Sequence, residues 1–249
     1  MNTLGSTEIV DYGEVEGRAA TLRDNLKLGS GPIADIESVL SDAGVAVLVR
    51  PLGARGPDGI YVRRPLLSVV LLNGSSYLPR FRFTGAHELG HHQYGAERAL
   101  DRNVFEAATI EEKRANAFAA AFLVPKSAIA ARVGYKSDIS AERVLELANE
   151  FGVSYETMVY RLHNCGWLRG GAQRRDELLG ARSAIFTDNL RNRRAPRETA
   201  LPLDYIRRSL RAYAHQQIDM GRLAELLLLD DAEARKLLGK LHLLQEEDT

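Results

Sequence analysis

His87-Glu88-Leu89-Gly90-His91 spells H-E-x-x-H inside a segment of helical character. Residues four apart on a 3.6-residue helix share a face, so both imidazoles can address one atom. Two histidines so placed can hold a divalent metal, with Glu88 beside them to accept a proton from an attacking water. That is the apparatus of metal-assisted peptide hydrolysis. The surroundings agree: Thr84 is a residue type that caps helix N-termini, and Gly95 can close the helix in a left-handed turn. Three of the six histidines cluster here. His92 lies about 100° around the helix from His91, which suits a surface or supporting position rather than ligation.

A two-histidine site needs a third protein ligand. Downstream carboxylates supply the candidates: Glu97, Asp101, Glu106, Glu111 and Glu112. Thr109 to Pro125 reads as a second helix, with Ala115, Phe118, Ala119, Phe122 and Leu123 at helical spacing. Its many alanines permit close packing, so a glutamate in its first turn can reach a metal on the first helix. Thr109-Ile110-Glu111-Glu112 also matches a capping box, in which Glu112 merely bonds the backbone. Spacing alone leaves the two roles open.

Arg82-Phe83-Thr84 running into the H-E-x-x-H, followed by Glu112-Lys113-Arg114-Ala115-Asn116-Ala117-Phe118-Ala119-Ala120 and Leu123-Val124-Pro125, resembles the ImmA/IrrE family of metallopeptidases. That family shows R-F-T-x-A-H-E-x-G-H and then E-x-x-A-N-x-F-A-A with a proline soon after. The resemblance implies His87, His91 and Glu112 as metal ligands, with Glu111 in reserve, and Glu88 as general base. It implies zinc, with manganese or iron as alternatives, and a protein substrate: a helix-turn-helix transcriptional repressor whose cleavage relieves repression of stress or mobile-element genes. The likeness extends over residues 17–168. Gly85 departs from it, standing where a larger residue is usual and weakening the expected helix start.

The implied fold class is α+β: a mostly helical, zincin-like metallopeptidase domain with a small antiparallel or mixed sheet, followed by a helical C-terminal region. Residues 1–168 are assigned to the first and 169–249, an Arg-rich linker with helices, to the second. Expected helices are Arg18 to Leu28 and Ile33 to Ala43, with residues 1–16 loose. Expected strands are Val45 to Val49, Gly59 to Arg63 and Leu66 to Leu72. A strand edge beside the metal can take up a substrate backbone by strand addition, and sequence does not say whether Leu66 to Leu72 is that edge. Residues 96–108 are ambiguous.

Ala141 to Phe151, a glycine turn and a Ser154-capped helix outline a helix-turn-helix. Its second helix offers one strong cation, Arg161, which favours packing on the core over DNA recognition. Arg169 to Arg211 holds eleven arginines against five acids, the pattern of an exposed link or partner surface. Leu203 to His215, Gly221 to Leu229 and Ala232 to Leu243 read as leucine-rich helices, and no internal repeat stands out. Tyr160 and His163 are positional candidates for a second electrophile.

The chain has 249 residues, zero formal net charge and one cysteine, Cys165. No disulfide can form within it, no apolar signal segment opens it, and no run approaches a membrane span. These point to a cytoplasmic protein without membrane contact, and give no global support for nucleic-acid binding. The competing reading is a metal-binding regulatory protein that binds a partner protein or DNA and cleaves nothing.

Overall fold

The helix that carries H-E-x-x-H is the centre of the architecture. In a computed structural model, which describes residues 10–65, 67–101, 109–134, 138–181, 201 and 203–246, the described chain divides into two compact units, Met1–Thr199 and Ala200–Thr249. In the first, helices α1 (Tyr12–Asn25) and α2 (Ile36–Asp42) precede strands β1 (Val45–Arg50), β2 (Gly59–Arg64) and β3 (Leu67–Asn73). Then come α3 (Leu78–Gln93), β4 (Arg98–Asp101), α4 (Ile110–Leu123), α5 (Lys126–Ala130), α6 (Ala141–Phe151), α7 (Tyr155–Asn164) and α8 (Gly171–Gly180). The second unit holds α9 (Leu203–Ala214), α10 (Met220–Leu227) and α11 (Asp231–Glu246).

The expected α+β class holds: the sheet is small and mixed, in the order β1-β3-β2-β4. β1 runs parallel to β3, while β2 runs antiparallel to both β3 and β4. Valines 45, 47 and 49 alternate inward with Val70 and Leu72, as a half-buried sheet requires. β3 is therefore internal and cannot be the edge that accepts a peptide. Among the described residues β4 pairs only with β2, and residues 98–101, left ambiguous by sequence, supply that outer strand.

Several boundaries move. α3 begins at Leu78, six residues before the expected cap, because Pro79 fits its first turn and Tyr77 takes the cap position. Thr84 is thus a buried mid-helix residue. Gly85 is also interior. A Cβ there would lie 2.7 Å from Ile36 Cγ1, so its smallness serves the packing of α2 on α3. The end of α3 is as expected: Gly95 is left-handed (φ 74°) and the Ala96 N–H returns to the His91 carbonyl. α1 starts at Tyr12 rather than Arg18 because the Asp11 carboxylate caps the Gly13 and Glu14 N–H groups, so residues 12–16 are not loose. α2 starts at Ile36, capped by Asp35.

The tightest pairing is α3 against α4. A Cβ on Gly90 would meet Ala115 Cα and Phe118 Cδ1 at 3.2 Å each. Phe118 and Phe122 stack beneath (centroids 5.6 Å apart) and are fully buried. α1 lies across α4, where buried Arg23 donates to the carbonyls of Phe122, Gly29 and Gly31. Tyr94, at the end of α3, is held between the guanidiniums of Arg18 and Arg114, 4.6 and 4.3 Å from its ring centre. Burial and its hydrogen bond to Glu14 push its hydroxyl pKa up to about 12.

α6, the Gly152 turn and α7 appear where sequence places them, with Ser154 capping the Thr157 N–H. This pair is core. Val159 and Leu162 are fully buried, and Arg161 donates to the Val124 carbonyl and to both Glu16 carboxylate oxygens. The one cation that α7 could offer to phosphate is thus an internal tie. The boundary expected from sequence at 168/169 falls within the first compact unit, since α8 is tied to α7 by the Tyr155 hydroxyl on the Leu178 carbonyl (3.1 Å). Arg191, Arg193 and Arg194 lie outside the described residues.

Gly90→Val is expected to overpack the α3–α4 seam and lower stability by about 1–3 kcal/mol. Urea unfolding followed by circular dichroism measures this, and an unchanged midpoint would contradict the close approach.

Candidate metal centre

α3 presents two functional stripes. One carries His87 and His91; the other carries Thr84, Glu88 and His92 toward β2. His87 and Glu88 are fully buried and His91 is 4% exposed. The imidazole Nε2 atoms of His87 and His91 are 3.0 Å apart, with ring planes at 72°.

Across the α3–α4 seam, Glu112 completes the group. Its Oε2 lies 3.2 Å from His87 Nε2 and its Oε1 3.4 Å from His91 Nε2. Among the described residues these three form a cluster suited to a metal ion. A tetrahedral centre with ligand bonds of about 2.0–2.1 Å has ligand–ligand edges of about 3.3 Å. The observed separations match that scale, and imidazole plus carboxylate is a donor set that zinc, manganese or iron accepts.

Geometry separates Glu111 from Glu112. Thr109 caps α4 by accepting from the Glu112 N–H (3.3 Å). Glu111 is the carboxylate that serves the helix end: its own backbone N–H, and then the Thr109 hydroxyl, hold its pKa below the usual carboxylate range. Glu112 points to the histidines instead. Glu97 sits before β4 with its carbonyl accepting from the Arg63 N–H, and Asp101 pairs in register with Gly59. Glu106 lies outside the described residues.

Two contributors escape sequence reasoning. Asn116 Oδ1 lies 2.8 Å from His87 Nδ1. Accepting that N–H fixes the tautomer and leaves the Nε2 lone pair aimed at the cluster. The signal that could have found it is position: Asn116 follows Glu112 by four and shares its face of α4. The other is Gly59. A Cβ there would collide with Glu88 Oε1 and lie 2.7 Å from Thr84 Cγ2, so bare backbone of β2 walls the Glu88 carboxylate. The Asp58 carboxylate, clamped in two bonds by Arg80, anchors the start of that strand.

His92 is not a surface residue. Its Nδ1 meets the buried Tyr61 hydroxyl at 2.9 Å, and burial, helped by Arg63, lowers its pKa. Tyr160 is 48% exposed on α7, and His163 meets Arg175 of α8 at 3.5 Å. The neighbouring Arg161 ties α7 to Val124, at the end of α4 opposite Glu112 and about 18 Å along its axis. Tyr160 and His163 thus belong to a helix tied to the end of α4 remote from Glu112.

A buried H-E-x-x-H helix backed by a small mixed sheet, with a carboxylate from the next helix, defines a centre of the metallopeptidase class. Residues 40–163 match the family model of the IrrE N-terminal-like domain, a peptidase family, and the chain belongs to this ImmA/IrrE family of metallopeptidases. No curated protein matches the chain.

Asn116→Ala is expected to weaken metal binding by about 10- to 100-fold, read by competition with a chromogenic chelator, whereas Asn116→Asp retains an acceptor and much of the affinity. Equal affinity for wild type and Asn116→Ala would remove Asn116 from this role.

Proposed function

We propose that this protein is a zinc-dependent endopeptidase that cleaves a helix-turn-helix transcriptional repressor. The observation that carries the reading is the convergence of His87, His91 and Glu112 on a common point, one residue from a buried Glu88. Membership of a metallopeptidase family supports it. The repressor substrate comes from the family resemblance alone.

His87, His91 and Glu112 would hold the cation. When bound, it supplies Lewis acidity, polarising the scissile carbonyl and making water nucleophilic near neutral pH. Asn116 keeps His87 in the ligating tautomer. Glu88 accepts the proton of the attacking water and delivers it to the leaving amine. The Gly59 wall limits how that carboxylate can turn.

The extended substrate is expected to pair its backbone with the outer edge of β4. The β2–β4 register sets Asp101 opposite Gly59, which brings this edge level with Glu88. The single cysteine suits a reducing, cytoplasmic setting. No helix among the described residues is long and apolar enough to cross a membrane.

Glu88→Gln should retain stoichiometric metal and lose about 10²- to 10⁴-fold in cleavage rate. The assay is cleavage of candidate repressors by full-length protein with and without chelator, alongside metal analysis. Cleavage by Glu88→Gln at the wild-type rate would refute the proton-transfer role. Metal-loaded wild type that cleaves none of them would favour the non-proteolytic regulator.

A further inference from the structure

The sheet of the first unit has one covered face and one open face. α3 lies on the inner face, where Tyr61 bonds His92 and the Gly59 backbone lies against Glu88, and α2 packs on α3 at Gly85. Strand alternation sends every second residue the other way. Leu48 of β1, Ile60 and Val62 of β2, and Val69 and Leu71 of β3 stand on that outer face, all half-buried. The register groups them: Ile60 and Leu48 flank Leu71, and Val62 pairs with Val69. Leu67 extends the patch and is 43% exposed. Among the described residues no helix of this unit other than α2 and α3 packs on the sheet.

The charge of this face has one sign. Arg64 of β2 and Arg98 of β4 are exposed at one corner, Arg98 paired in register with Val62, and Arg50 of β1 stands at the opposite corner. The nearby acids sit at inner-face registers: Glu97 opposite Arg63 and Asp101 opposite Gly59. No acid occupies an outer register of the four strands. The surrounding chain has the same bias. Residues 43–86 hold six arginines, no lysine and one acid, Asp58, which Arg80 matches. Six against one leaves this stretch strongly positive in a chain of zero net charge.

Shape and charge together select the occupant. An apolar sheet face is ordinarily covered by a layer of helices, as α3 covers the other side here. A second copy of this chain is a poor cover, because a two-fold contact would set arginine-bearing patches against each other with no acid between them. Nucleic acid is poorly served as well. Single-strand bases need aromatic platforms, whereas the residues between these arginines are aliphatic, and a phosphate backbone laid over them would lose its hydration. The complement is a helix with an apolar stripe and acids beside it. Arg64 and Arg50 stand level with Leu67 and Asn73 of β3, about 20 Å apart along the strand. A helix spans that distance in about 13 residues.

We propose that the outer face of the sheet docks an acidic amphipathic helix of a partner protein, with the apolar stripe of that helix on Val62, Val69 and Leu71 and its carboxylates at Arg64 and Arg98. This interaction does not depend on peptide hydrolysis.

The test is fluorescence anisotropy of the full-length protein with a labelled synthetic helix about 16 residues long, carrying leucines on one stripe and glutamates beside it. Saturable binding that weakens as salt rises is expected. The same peptide with lysine for every glutamate should not bind. Arg64→Glu/Arg98→Glu should lower affinity for the acidic peptide about 10-fold or more and create affinity for the basic one. Leu67→Gln, at an exposed position, should weaken binding too, which keeps the test decisive if the double variant unfolds in a thermal melt. Arg143→Gln on α6 should bind as wild type, and so should Glu88→Gln, which separates this result from that of the peptidase. No saturation by about 1 mM peptide, equal binding of acidic and basic peptides, or unchanged affinity in folded Arg64→Glu/Arg98→Glu and Leu67→Gln variants overturns the proposal. So does a dimer in sedimentation that Leu67→Gln dissolves, or binding of duplex DNA or phosphatidylserine vesicles with which the acidic peptide does not compete.

Discussion

The close approach of α3 and α4 is the constraint on which the centre depends. Gly90 gives up its side chain so that the backbone of Ala115 can come within van der Waals distance. At that separation a glutamate in the first turn of α4 reaches two histidines on α3. A side chain larger than alanine at the seam would move the carboxylate outward, and a ligand set with edges near 3.3 Å tolerates little such movement. The apolar pairs around it, Phe118 on Phe122 and Tyr94 between two arginines, hold the helices in register. Packing and site geometry are here one feature: the residues that set the interhelical distance also set the spacing of His87, His91 and Glu112.

The H-E-x-x-H helix, its paired histidines, α4 with its Thr109 cap, and the α6–α7 pair are all legible in sequence, because each rests on local rules of period, capping and glycine turns. Glu112 is half legible. Sequence offers five acids, two of them in the first turn of α4; family likeness favours Glu112, and in the structure Thr109 and the helix end occupy Glu111 while Glu112 turns toward the histidines. What stays hidden is tertiary. Nothing local announces that Gly59 will lie against Glu88, that His92 will meet Tyr61, or that β3 will be flanked on both sides. The start of α3 is misleading for a related reason. Thr84 has cap chemistry, yet Pro79 and the apolar Phe81 and Phe83 continue the helix upstream and bury the threonine.

Arginine shows how poorly charge counts forecast function. Arg23, Arg82 and Arg161 enter a charge count like any other cation, yet two are almost fully buried and the third reaches the Ile33 carbonyl and lies against the α6–α7 turn. Each directs its donors to backbone carbonyls or a carboxylate. They staple loops and helix ends that the sheet does not hold. Exposed cations are spread widely, among them Arg63 and Arg64 of β2, Lys126 of α5 and Arg235 of α11, in a chain whose formal net charge is zero.

Gly59 carries one more implication. β2 meets both β4 and Glu88: one edge bonds the outer strand, and its backbone at Gly59 lies against the acid. Arg80, reaching from α3 to Asp58, pins that strand to the same helix that bears the carboxylate. Glu88, the backbone that walls it and the sheet margin are thus three parts of one connected frame. Strand pairing alone joins the sheet margin to the backbone that lies against Glu88.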